Sequence, residues 1–253
     1  MAKNRVFRLI LVVIIPFFIA CNNVNGKGAS CPSTSKIREN LRPVLKDYSL
    51  EVVSVVPVKE IEGICEVFVK IEGESRIFYI DKSARFLLTG TLIDLVEGVN
   101  LTRERMYQLD VVTSDYLKEL SKLVSFEYKK GPKYIYFITD PDCPVCRKAE
   151  EPLLKWADRR NVTIKVVLLP IKELHPEAYG KSVSLICENR GFQDYINKNF
   201  GNSDCKAGRE KVDSAISLAK RIGVSGTPTF IGMNGKKIVG LPSNIEELDN
   251  LLK

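Results

Sequence analysis

Histidine is almost absent from this chain: His175 stands alone among 253 residues, against seven cysteines. One histidine cannot supply a His-rich zinc or iron site, nor the HExxH helix of a metallohydrolase. The CxxC at Cys143–Cys146 has no second CxxC to complete a structural zinc knuckle, and Cys187 and Cys205 are too widely spaced to replace one. Glycine and proline are sparse, at 16 and 12, while hydrophobic residues make up 45% and charged residues 27%, which excludes collagen, low complexity and disorder. The basic pairs Lys129-Lys130, Arg159-Arg160 and Lys236-Lys237 are short, scattered and not interleaved with aromatics, so they read as solvated faces and not as a nucleic-acid surface. The longest apolar run, Leu9 to Ala20, is too short for a membrane span. What remains is a folded protein whose chemistry is expected to be that of sulfur.

The length suggests one large domain or two small ones. Residues 1–20 combine a basic start, Lys3, Arg5 and Arg8, with that short apolar run, the pattern of a secretory signal peptide. Pro16 and the asparagines at 22, 23 and 25 end the run early, which favours export over a retained anchor. Phe18-Ile-Ala-Cys21 resembles a bacterial lipobox with Phe18 in place of the usual leucine, so Cys21 is either lipidated or removed. Removing the first twenty residues takes away three basic groups and no acids, leaving a modest positive excess. Outside the cytoplasm, cysteines can persist as disulfides.

Residues 33–47 place Ile37, Leu41, Val44 and Leu45 at helical spacing, and 49–58, 63–71, 76–80 and 86–88 are short β-branched and aromatic runs separated by turn residues. They predict a small α+β domain over 31–100, a helix followed by an antiparallel meander. From Thr102 to about Glu127, Met106, Leu109, Leu117, Leu120 and Val124 recur among charges, and Lys129-Lys130-Gly131-Pro132 stops the pattern, which predicts one linker helix within 101–131. Beyond it come a strand at Tyr134–Thr139, a helix at Cys146–Arg160, a strand at Val162–Leu169, a helix at Lys211–Ile222, strands at Thr229–Ile231 and Lys237–Val239 about an Asn234-Gly235 turn, and a helix at Ile245–Leu252. β-α-β followed by α-β-β-α is the order of the thioredoxin fold, so 132–253 is expected to be an α/β thioredoxin-like domain.

In Asp140-Pro-Asp-Cys143-Pro-Val-Cys146 the cysteines open the helix after the first strand of that domain. The first thiol of such a pair faces unpaired backbone N–H groups and the positive end of the helix dipole, which favour the thiolate. Two intervening residues put Cys146 one turn inside, within reach of a mixed disulfide on Cys143. Pro144 is tolerated because the first turn needs no N–H from it. Arg147 and Lys148 favour the thiolate by charge, and Asp140 and Asp142 oppose it. Independently, Gly223-Val-Ser-Gly-Thr227-Pro228 places an X-Pro bond before a strand, where thioredoxin folds set a proline against the CxxC.

With these motifs in hand, the chain resembles the periplasmic DsbC/DsbG disulfide isomerase family. The resemblance rests on Phe137-Ile-Thr-Asp-Pro-Asp-Cys143-Pro-Val-Cys146, the Gly-Val-Ser-Gly-Thr-Pro228 loop, the Cys187/Cys205 pair, and Tyr79-Ile-Asp-Lys-Ser and Leu88-Thr-Gly-Thr-Leu-Ile-Asp94 in the first domain. It implies a cystatin-like N-terminal dimerisation domain, a linker helix, and a V-shaped homodimer whose cleft holds misfolded exported proteins. It also implies Cys143 as nucleophile, Cys146 as resolving thiol, Thr227 and Pro228 as the substrate-binding loop, and Cys187–Cys205 as a non-catalytic disulfide. The thiolate of Cys143 would attack a wrong disulfide and release a substrate thiol to attack elsewhere. A membrane thiol transporter of the DsbD type would keep the site reduced, and no cofactor or metal is required. A DsbA-like oxidase, a reductase dedicated to one client and a chaperone with structural cysteines are the rival functions.

Two cysteines have no counterpart in the resemblance. Cys65 shares a strand face with Val67, Val69 and Ile71, so a buried free thiol is expected there in preference to a Cys31–Cys65 bridge. His175 is expected at the surface without a catalytic role.

Overall fold

A computed structural model describes residues 30–253. The signal peptide expected over 1–20, and Cys21, lie outside the described residues. Among those residues no helix is long and apolar enough to cross a membrane.

The chain begins with helix α1 (Thr34–Leu41), whose start is fixed by Ser33 Oγ accepting the Lys36 N–H. Strands β1 (Leu50–Pro57), β2 (Ile64–Ile71), β3 (Glu74–Asp81) and the short β4 (Leu87–Leu88) form an antiparallel sheet in that order. Alternation along β2 divides its side chains between two faces. Cys65, Val67 and Val69 meet Ile37 and Leu41 of α1. Phe68, with Ile77 and Tyr79 of β3, meets the other side. A two-stranded hairpin, β5 (Ile93–Asp94) with β6 (Val99–Asn100), leads into helix α2 (Leu101–Leu109), which lays Met106 and Leu109 on that second face.

The linker is not one helix. After α2 the backbone is extended at Val111, which bridges Lys236, and the Val112 N–H donates to Gly235 O at 2.8 Å. Helix α3 (Ser114–Lys122) then starts afresh, and Phe126–Tyr128 is a strand, β7. The β-branched pair Val111-Val112 disfavours helix, and Gly235, at φ +80°, lets the Val112 carbonyl approach where a Cβ would lie 2.2 Å away.

Strands β8 (Lys133–Thr139), β9 (Val162–Leu168), β10 (Thr229–Gly232) and β11 (Lys237–Val239) complete a five-stranded sheet ordered β11-β10-β8-β9-β7. Only β8 and β9 run parallel, joined by helix α4 (Pro144–Arg160). Ile135 and Phe137 of β8 face α4, burying Leu153 and Trp156. Tyr136 and Ile138 face the opposite layer, built from Leu120 and Leu123 and from Ala215 and Leu218 of α7 (Lys206–Arg221). Between β9 and α7 lie two helices that the pattern of the chain did not indicate, α5 (Ala178–Cys187) and α6 (Phe192–Ile196). The terminal helix is a 3-10 helix, Ile245–Leu251, capped by Asn244.

Cys31 and Cys65 are joined in a disulfide, correcting the expected free thiol. Cys65 is fully buried, but the segment entering α1 crosses its face and brings Cys31 within a Cα–Cα distance of 5.9 Å. That is ordinary bridging range. Cys187 and Cys205 are likewise joined, tying α5 to the start of α7.

Candidate active site

β8 ends at Thr139, and the next four residues turn the chain into α4. The Cys143 N–H donates to Asp140 O at 3.1 Å, making Cys143 the N-cap of α4 with Pro144 in its first turn. The Cys143 sulfur takes the place of a capping oxygen: the Cys146 N–H donates to Sγ at 3.2 Å. Cys143 Sγ is also 3.5 Å from the Thr227 carbonyl, so the Thr227-Pro228 loop, with its cis bond, lies directly against the thiol. Both cysteines carry free thiols; Cys143 is 4% exposed and Cys146 0%.

The two sulfurs sit in unlike surroundings. Burial, reinforced by the hydrogen bond with Cys143, pushes the Cys146 thiol up to about 12, while the hydroxyls of Thr227 and Thr139 and the backbone of Asp140 pull it the other way. Cys143, at the helix start, has an N–H donor on its sulfur and the dipole behind it.

Three of the four charges flanking the motif have partners of their own. Asp142 is held by Lys181 Nζ at 2.8 and 2.9 Å. The fully buried Asp140 carboxylate accepts the N–H groups of Asp142 and Ile171, both at 2.8 Å, and lies 2.9 Å from His175 Nδ1. His175 is therefore a partly buried histidine bound to the active-site turn, and not a free surface one. Arg147 donates to Pro141 O, Tyr195 O and Glu150. Lys148 has no partner at either sulfur.

The structure thus brings Cys143, Cys146, Thr227 and Pro228 together, and keeps Cys187 and Cys205 apart from them in their own disulfide. The residues that sequence reasoning missed are Thr139, Glu150, His175, Lys181 and Tyr195. Glu150 follows Cys146 by one helical turn and was visible as such, but Tyr195 lies on α6, which no periodicity announced. Among the described residues, no group of three or more histidine, cysteine or acidic side chains could hold a metal ion.

A dithiol opening a helix, pressed against an X-Pro loop at the end of a central strand, defines a thiol–disulfide oxidoreductase of thioredoxin fold. Residues 123–253 match the thioredoxin-like domain family, and residues 28–103 match the disulfide bond isomerase protein N-terminal domain. The chain belongs to the thioredoxin-like family and is a DsbC/DsbG-like thiol:disulfide interchange protein. The Bordetella avium protein named "Probable thiol:disulfide interchange protein DsbC" is 25% identical over 223 residues, covering 85% of this chain and 74% of that one. Thiol:disulfide interchange protein DsbG of Pseudomonas aeruginosa is 21% identical over 192 residues, 69% of this chain and 72% of that one. DsbC of Escherichia coli K12 is 22% identical over 176 residues, 66% and 69% respectively.

Proposed function

We propose that the protein rearranges or reduces non-native disulfides in exported proteins, with Cys143 as nucleophile and Cys146 as resolving thiol. The observation that carries this reading is the asymmetry of the pair: Cys143 caps α4 with an N–H on its sulfur, and Cys146 is wholly buried behind it. The Cys143 thiolate attacks a substrate disulfide, forming one S–S bond and releasing one substrate thiolate. That thiolate attacks another substrate disulfide, and the different thiolate freed by that exchange attacks the mixed disulfide, forming a new pairing and releasing Cys143. When rearrangement stalls, Cys146 displaces the substrate and leaves the enzyme oxidised, so an external reductant is needed. The proposed source is a membrane thiol transporter of the DsbD type. Thr227, whose carbonyl borders the nucleophile, and Pro228 form the proposed substrate-binding loop.

The proposal extends to location and assembly. Residues 1–20 direct export to the periplasm, and Cys21 is the candidate lipid anchor. Residues 31–100 dimerise, 101–131 link, and 132–253 carry catalysis. Support for a homodimer comes from the edge strand β4, which leaves backbone groups unpaired, and from nearby Phe86, Leu88, Leu95 and Val96, the last two 89% and 91% exposed.

The test is refolding of a scrambled, multiply disulfide-bonded protein in glutathione buffer, with the protein and its Cys143→Ala variant side by side. The expected result is recovery of native pairing with the first and none above background with the second. Rapid oxidation of reduced substrate, with scrambled substrate left untouched, would replace the isomerase reading with an oxidase one.

A further inference from the structure

Three residues before the nucleophile, Asp140 holds a carboxylate with no exposure to solvent. We propose that His175, protonated on this carboxylate, is a positioning residue for Cys143: its imidazolium cancels the Asp140 charge in the turn from which the thiolate attacks. The proposal rests on the reading of Cys143 as the nucleophile.

Asp140 and Cys143 close one turn. The Cys143 N–H donates to Asp140 O at 3.1 Å, and the Asp142 N–H to Asp140 Oδ1 at 2.8 Å. The other carboxylate oxygen, Oδ2, accepts the Ile171 N–H at 2.8 Å and lies 2.9 Å from His175 Nδ1. Ile171 and His175 are themselves the ends of a turn, closed by the His175 N–H on Ile171 O at 2.8 Å, and the Ala178 N–H donates to His175 O at 3.1 Å. Backbone on both sides therefore fixes the imidazole on the carboxylate. The His175 side chain is 18% exposed, so it can exchange a proton with water where Asp140 cannot.

The other charges around the turn are accounted for. Asp142 is held by Lys181, which also pairs with Glu177 at 3.1 Å, and Arg147 pairs with Glu150 at 3.0 Å. Lys172 lies 3.6 Å from the centre of the Tyr179 ring, and Lys148 and Glu173 are exposed. The loop that borders the Cys143 sulfur, residues 223–228, has no titratable side chain. Behind Cys143, burial keeps Cys146 a neutral thiol. The proton on His175 thus decides whether the turn carries a net charge.

With His175 protonated, the pair with Asp140 is neutral. With the imidazole neutral, a buried negative charge stands in the turn and opposes a second one on Cys143 Sγ. Such coupling is reciprocal: a thiolate at Cys143 favours the proton on His175, and the coupling vanishes once Cys143 is in a disulfide. No bond to substrate involves His175, which acts through Asp140.

The test is a titration of the reduced protein, with thiolate absorbance at 240 nm followed below about pH 9. Cys146, pushed up to about 12, stays silent in that range. His175→Gln keeps a hydrogen-bond donor for Asp140 and removes the charge, so a purely structural clasp would leave the titration unmoved. The expected result is a midpoint about one pH unit higher, a tenfold smaller ionisation constant. His175→Arg, which retains a positive charge, is expected to restore the midpoint. A second measurement needs no variant: His175 is the chain's one histidine, so its imidazole resonance can be titrated by NMR without ambiguity. Its midpoint is expected to be higher in the reduced protein than in the Cys143–Cys146 disulfide form. An unmoved thiolate midpoint in His175→Gln, or identical imidazole titrations in the two redox forms, would overturn the proposal. A thiolate signal that persists in Cys143→Ala would instead overturn the assignment of the nucleophile, and this proposal with it.

Discussion

The ammonium of Lys237, on β11 of the catalytic domain, lies 3.0 Å from the carboxylate of Asp110, the residue that ends α2. That carboxylate accepts a further hydrogen bond from Ser75 Oγ of the N-terminal sheet at 2.8 Å, and Lys237 also donates to Ile222 O at 2.6 Å. One buried pair thus joins the first domain, the linker and the chain leading to the Thr227-Pro228 loop. Arg103 and Tyr107 of α2, both bound to Glu247, make a second fastening at 3.1 and 2.9 Å.

Removing one member of this pair leaves the other charge buried and unpaired. The Lys237 side chain is only 3% exposed. Asp110→Asn is therefore expected to cost about 3 kcal/mol of stability, the usual penalty for breaking a buried pair from one side. Urea unfolding checks it, and replacing both partners with apolar residues should recover part of the loss.

The Cys31–Cys65 disulfide closes a sequence separation of 34 residues, worth about 4 kcal/mol in the chain-entropy account. Replacing both cysteines with alanine should lower stability by about that amount and leave the dithiol untouched. Peptide mapping after alkylation without reduction should recover residues 31 and 65 in one linked peptide. Alkylated Cys65 in the native protein would contradict the bridge.

Asp81 ends β3 and gathers the turn into β4, accepting hydrogen bonds from the Ser83 hydroxyl and from the N–H groups of Ser83, Arg85 and Phe86. These bonds, the Ser83 hydroxyl foremost, lower its pKa to about 2. A depressed carboxylate contributes stability above its unfolded pKa and loses it as pH falls through the folded value. Asp81→Asn should therefore be less stable than the parent at neutral pH, with the gap closing between about pH 4 and pH 2. A constant gap across that window, read from denaturation midpoints, would contradict the assignment.

The unlike surroundings of the two active-site thiols predict unlike reactivity. Burial and a pKa pushed up to about 12 leave Cys146 inert to alkylation near neutrality. Iodoacetamide at pH 7 should give a single adduct at Cys143, and Cys146 should react only once the chain is unfolded, as mass spectrometry of digests would show.

Much of this architecture was legible from local periodicity. β1, β2 and β3 were marked by β-branched and aromatic runs between turn residues even though β2 is buried on both faces, and the strand–helix order around Cys143 by the change of period. α5 was not legible, because Ala178, Ser182, Val183, Ser184 and Leu185 are buried together and leave no polar stripe. The break at Val111-Val112 depends on a turn more than a hundred residues later, and the Cys31–Cys65 pairing on a crossing that spacing does not encode. At the site the motif named the two thiols, but not which charges act on them. Lys181, His175 and Tyr195 come from segments whose approach to the motif only the tertiary fold sets.

The central claim, that Cys143 attacks and Cys146 resolves, is tested most directly by trapping. The Cys146→Ala variant, mixed with a scrambled disulfide-bonded protein, should accumulate a covalent complex. That complex should be linked through Cys143, be cleaved by reductant, and be absent from the Cys143→Ala variant. A complex linked through any other cysteine, or none in Cys146→Ala under conditions where the unaltered protein turns substrate over, would contradict it.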